Sequence, residues 1–261
     1  MNNDNNAVEK LQTTIDELLR LKSASNSFTK EALNKILVFC DIMIEDEASE
    51  RSKEKPADIE AVCCRILRDR DLINRLVSYL TKTGPEEKYC SFTDVYANCT
   101  GTIDAICRSS GKEFDANEFI PFRKLNATAD KCCLLLTLPI ALAFEHDGSN
   151  GVRLIASTKN DRLELEYNFS RKAPPVADLA AECKKTDHSS GLYFTEPLLA
   201  LTLTETVADL GGLISISNKT IRISVPLADK DATVNSAADS YIDNRFSLPY
   251  IMLAGIVRRE I

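Results

Sequence analysis

Residues 191–227, GLYFTEPLLALTLTETVADLGGLISISNKTIRISVPL, constrain the fold more than any other stretch of the chain. Residues 195–210 place Leu198, Leu199, Leu203, Val207 and Leu210 close to a helical stripe. Gly211-Gly212 follows, where a helix C-terminus favours a residue that tolerates positive φ. Residues 213–217 then alternate with period two, Asn218-Lys219 supplies a turn, and residues 221–225 alternate again. Together they read as a helix packed on a β-hairpin, one layer on another.

The rest of the chain has the composition such a layered core needs. Hydrophobic residues make up 44% and charged residues 27%, enough apolar surface for one or two globular domains. No apolar run reaches the roughly 18–20 residues of a spanning helix, and MNNDNNAVEK lacks a signal-peptide layout. A cytoplasmic chain with no membrane span is expected. The net charge of −7 argues against a nucleic-acid surface. Nine cysteines without CxxC spacing match neither a disulfide framework nor a zinc site. Cys63-Cys64 and Cys132-Cys133 fall inside apolar helical patterns and read as small buried hydrophobes.

Residues 7–85 read as a helical hairpin. Val8, Leu11, Ile15 and Leu18 keep a/d spacing for two heptads, as in a coiled-coil lead-in. Leu33, Ile36, Leu37, Cys40 and Ile44 continue the stripe after the SASNS break. The charged, Pro56-containing run 45–58 is a solvated loop between antiparallel helices. The return helix carries Ile59, Val62, Cys63, Ile66, Ile73, Leu76, Val77 and Leu80 until Thr83-Gly84-Pro85 stops it. A lone hairpin cannot bury both stripes, so pairing with a second copy into a four-helix bundle is expected.

From residue 88 the pattern changes. Residues 92–107 form an amphipathic helix, 112–122 a strand, 130–144 a strongly apolar helix, and 152–157 and 162–169 two strands. Residues 170–190 read as a polar loop. The helix and hairpin of the opening paragraph close the domain at 227, giving helices on one face of a mixed sheet. The tail, 228–261, is polar until SLPYIMLAGIV, which should dock on a core or a partner.

This element order resembles the core of sensor histidine kinases, a dimerising hairpin followed by a Bergerat-type ATP-binding domain, over residues 8–227. The resemblance implies an α+β chain: an antiparallel helical hairpin, then a two-layer α/β sandwich of histidine kinase ATPase type. In that family the first hairpin helix carries the phosphoacceptor histidine before a Pro-Leu. Here Ala32-Leu33 lies on the Pro-Leu and Ser27 on the histidine, and the chain's two histidines, His146 and His188, both lie outside the hairpin. A serine hydroxyl cannot form the family's reversible phosphoramidate.

The nucleotide motifs diverge as well. Family Asn side chains that hold Mg²⁺ fall at Leu136 and Ile140, which offer no oxygen to a cation that needs oxygen ligands. Pro139 between them questions how regular that helix is. The adenine-binding Asp-x-Gly-x-Gly falls on the stretch through Phe169, YNFSRKAPP, which lacks glycine altogether. The second glycine box falls on Phe194-Thr-Glu-Pro-Leu-Leu-Ala200, with Gly191 the one glycine nearby, and Glu196 there would repel a phosphate while suiting the helix dipole.

These replacements point to a fold kept and a nucleotide site filled in, with no catalytic residues, metal or cofactor. The implied protein is a dimeric, catalytically inactive interaction module of two-component signalling. Its partner would be a response-regulator receiver domain or a cognate kinase, docked around Ser27, Phe28, Glu31, Ala32 and Lys35. The alternatives are a divergent ATP-binding kinase and a phosphotransfer protein with an unusual acceptor; relay proteins of this layout use the hairpin histidine. Three other constellations read as structural. His188 with Asp187, Ser189 and Ser190 lacks a nucleophile elbow and reads as a surface loop. His146 in Glu145-His-Asp147 reads as a solvated helix end rather than half a metal site. The cluster 65–70, RILRDR, reads as a face paired with Asp69 and Asp71.

Overall fold

The structure, a computed structural model, describes residues 68, 71–72, 74–75, 88–119, 121–146, 149–182, 195–229, 231–236 and 247–253. The hairpin expected over 7–85 therefore lies outside the described residues except for five helical positions, of which Arg68 and Leu72 are fully buried.

From residue 89 onward the order is β1 (Tyr89–Ser91), α1 (Phe92–Ser109), β2 (Glu113–Ala116), β3 (Lys124–Asn126), α2 (Ala129–His146), β4 (Gly151–Lys159), β5 (Arg162–Phe169), α3 (Val176–Glu182), α4 (Thr195–Asp209), β6 (Leu213–Ser217), β7 (Thr220–Pro226) and α5 (Leu248–Met252). The main sheet runs β2-β4-β5-β7-β6, parallel only between β2 and β4. Strands β1 and β3 make a separate two-stranded ribbon. The mixed helix-on-sheet architecture is the one the alternating patterns predict.

Period-two alternation sets the two faces of the sheet. Val152, Leu154, Ala156, Leu163, Leu165, Tyr167, Phe169, Ile221, Ile223 and Val225 are buried on the inner face. The outer face carries cross-strand polar pairs, such as Arg222 to Glu166 at 2.7 Å and Arg162 to Ser224 at 2.6 Å. Asn168 and then Arg222 hold the Glu166 carboxyl below its ordinary range.

Local chemistry fixes the boundaries. The Ser91 hydroxyl accepts from the Asp94 amide and caps α1. Asn160 and Asp161, both at positive φ, close the β4–β5 hairpin and carry β4 beyond the expected 157, to Lys159. The strand expected over 112–122 contracts to Glu113–Ala116 because Asn117 uses its side chain: Oδ1 accepts from the Ala156 amide and Nδ2 donates to the Ala156 carbonyl. The loop expected over 170–190 contains α3, which begins directly after Pro174-Pro175 and packs on α4. Gly211 takes φ 63 at the end of α4. A Cβ on Gly212 would meet Val225 Cγ1 at 2.7 Å and Val207 Cγ1 at 2.8 Å, so only glycine lets α4 turn this tightly into the hairpin.

The tail docks, as its apolar end predicts. The Ser236 hydroxyl accepts from the Ala129 amide at the start of α2, residue 236 bridges to Cys90, and α5 packs on α1 and α2. Among the described residues no helix is long and apolar enough to cross a membrane.

Helix α2 is buried without a break from Cys132 to Phe144. Pro139 does not interrupt it. Proline has no N–H to give to the carbonyl four residues back, which leaves the Leu135 carbonyl without its helical donor. The Tyr167 hydroxyl, fully buried on the inner face of β5, donates to that carbonyl at 2.7 Å. Burial pushes the Tyr167 phenol well above its ordinary pKa, so it stays a donor. The expectation of an irregular helix is thus resolved by a side chain from the sheet.

Tyr167→Phe should cost about 1–3 kcal/mol, because it strands a buried carbonyl; urea unfolding with an unchanged slope measures it. Gly212→Ala should cost about 1–3 kcal/mol by overpacking, read in the same assay.

Candidate functional site

The positions that the family resemblance assigns to nucleotide can be followed one by one. Leu136 and Ile140 are both fully buried. They continue the i, i+4 stripe begun by Cys132, whose sulfur touches Cys90 on β1, so this stripe of α2 is held within the protein core. A different alignment would not restore a ligand. Between Lys131 and Glu145 the one side-chain oxygen on α2 is that of Thr137, and its hydroxyl donates to the Cys133 carbonyl at 2.9 Å. A hard divalent cation finds no donor set here. Among the described residues no cluster of three His, Cys, Asp or Glu side chains could hold a metal ion.

Phe169 ends β5 on the inner face and is buried; its amide donates to the Lys219 carbonyl at 2.9 Å. The segment after it, where the glycines of the adenine site would lie, is fixed to the neighbouring turns. The Ser170 hydroxyl meets Ser149 at 3.0 Å and accepts from the Gly151 amide, while Ala173 is buried and bonded to Asn218. Leu136, Ile140 and Phe169 are therefore core positions. Gly191 lies outside the described residues, as do Ser27, Phe28, Glu31, Ala32 and Lys35 and the group around His188.

The N-terminus of α4 is the place where backbone amides and helix dipole would draw a phosphate. Glu196 stands in its first turn. Its carboxylate meets His146 Nδ1 at 2.6 Å, with both side chains about one quarter exposed. His146 closes the C-terminus of α2, so each residue also suits the dipole of its own helix. His146 is thus paired with Glu196 rather than left as a solvated helix end. At the other end of the same helix pair, Lys131 bonds Asp209 at 2.7 Å. These two contacts pin α2 antiparallel to α4.

Ion pairs also tie the hairpin side to α2. Arg68 reaches Glu145 at 2.6 Å, and Arg75 reaches Asp71 at 2.6 Å and Asp130 at 3.3 Å. The 65–70 cluster therefore includes a buried arginine engaged across the fold, not only a face balanced by its own aspartates. Sequence reasoning missed these long-range pairs.

No family model and no curated protein matches the sequence. Solved structures similar to the chain include histidine kinases. The Acinetobacter baumannii histidine kinase AdeS is 11% identical, with 85% of this chain and 98% of that one covered and a TM-score of 0.44. The ATP-binding domain of PrrB from Mycobacterium tuberculosis is 15% identical over 54% of this chain and 98% of its own, with a TM-score of 0.41. Full-length ShkA, solved in complex with AMPPNP, is 14% identical over 83% of this chain and 47% of its own, with a TM-score of 0.47.

Leu136→Asn, which puts the family's residue back, should destabilise the protein by about 2–4 kcal/mol, through lost apolar burial and an unpaired amide. A change under about 0.5 kcal/mol would show that the position opens onto solvent.

Proposed function

We propose that this chain is a histidine-kinase-like signalling protein that has lost catalysis and acts through protein contacts. The observation that carries the reading is the apolar, fully buried stripe of Leu136 and Ile140 where such a kinase would hold Mg²⁺. It is supported by Glu196, whose carboxylate takes the helix N-terminus a phosphate would need. The absence of a histidine from residues 1–145 removes the family's phosphoacceptor from the hairpin. The residues do not fit Mg²⁺-ATP, and no phosphoryl transfer is assigned to them.

The working form is a homodimer, its two hairpins making a four-helix bundle in the cytoplasm. The partner is a response-regulator receiver domain or a cognate kinase, docked on the patch of Ser27, Phe28, Glu31, Ala32 and Lys35. Docking without transfer of phosphate would sequester the regulator or compete for it. Phe28 is the aromatic anchor of the patch and the residue on which affinity should depend most.

Titration of the purified chain with receiver domains from its own cell tests this. The expected result is saturable binding to one of them, about tenfold weaker for Phe28→Ala, with sedimentation giving twice the chain mass of 28.9 kDa. Binding to none of them would contradict the regulator-docking form of the reading.

A further inference from the structure

Five described cysteines are reduced and buried: Cys90, Cys99, Cys107, Cys132 and Cys133. Four of them meet in pairs. Adjacent residues of α2 each face a thiol from a different element: Cys132 Sγ lies 3.0 Å from Cys90 Sγ on β1, and Cys133 Sγ lies 3.6 Å from Cys99 Sγ on α1. Packing small hydrophobes requires burial but not thiols that face each other. The Cys90–Cys132 sulfurs need to close by only about 1 Å to reach bonding distance.

We propose that Cys90 and Cys132 form a reversible disulfide site that ties β1 to α2. Two observations favour this pair over Cys99–Cys133. It is the closer of the two. Cys90 sits on a three-residue strand of a two-stranded ribbon, flanked by the tail through the bridge to Ser236, whereas Cys99 is inside the 18-residue helix α1. A short ribbon opens more easily than a packed helix, so it gives both sulfurs of this pair a route to a small oxidant.

The oxidant class is a hydroperoxide. One thiol, as thiolate, attacks the peroxide O–O bond, giving a sulfenic acid and water. The second thiol attacks that sulfur, forms the S–S bond and expels a second water. Two protein S–H bonds are lost, and two electrons pass to one molecule of hydrogen peroxide. A dithiol reductant reverses the reaction. The hydrogen bond to Cys90, and then burial, holds the Cys132 thiol well above its ordinary pKa, so the bond forms on sustained exposure and not as a fast peroxide response.

The bond would fix β1, the strand immediately before α1, to the helix that Arg68 and Arg75 also grip.

The test exposes the full-length chain to hydrogen peroxide, blocks residual thiols and maps peptides without reduction. The expected product joins the Cys90 and Cys132 peptides, disappears on dithiothreitol treatment, and is absent from Cys90→Ser. Oxidation should also raise Tm by several degrees in the wild type and leave Cys90→Ser unshifted. Recovery of Cys99–Cys133 alone, of scrambled pairs, or of no crosslink after prolonged peroxide would overturn the proposal. So would a linked peptide with no change in Tm relative to Cys90→Ser.

Discussion

Everything in the described fold leans on one helix that is buried on all sides. A helix covered by a sheet, by flanking helices and by a returning tail has to be apolar all round, and α2 is so from Cys132 to Phe144 except for Thr137. Its single backbone defect, at Pro139, is repaired from outside by the Tyr167 hydroxyl. Its ends are tied by Lys131 to Asp209 and by His146 to Glu196. Packing, backbone satisfaction and electrostatics thus agree at one element.

The same constraint bears on function. Metal ligands on α2 would have to be polar groups in a low-dielectric interior, acceptable only with their ion in place. With Leu136 and Ile140 buried on this helix, the core needs no bound ion at these positions. Glu196 extends this logic to the helix layer: its carboxylate satisfies the α4 dipole that a phosphate would otherwise satisfy, and His146 holds it there. The function proposed above requires a core of this kind, one that stays folded without nucleotide.

Much of this was legible in the sequence because period and punctuation are local. Arg162–Phe169 alternates cleanly and forms β5 as read, and Gly211 takes the positive φ that its place after α4 implies. The apolar run at 130–144 announced a buried helix, and α2 is buried along that run from Cys132. Long-range compensation was not legible. Nothing local says that Tyr167 would mend Pro139, that Asn117 would stand in for a strand residue, or that Arg68 would find Glu145 77 positions away. The helix at Val176–Glu182 was hidden because seven residues after two prolines, within a polar stretch, show too little periodicity.

The most direct test of a filled nucleotide site is calorimetric titration of the full-length chain with Mg²⁺-ATP. The sample should be shown folded by its near-ultraviolet circular dichroism. No heat of binding up to millimolar nucleotide is the predicted result. Saturable binding at micromolar concentration would contradict the account. It would mean that nucleotide is held by side chains other than those at Leu136 and Ile140, and would make a kinase with an unusual acceptor the better description.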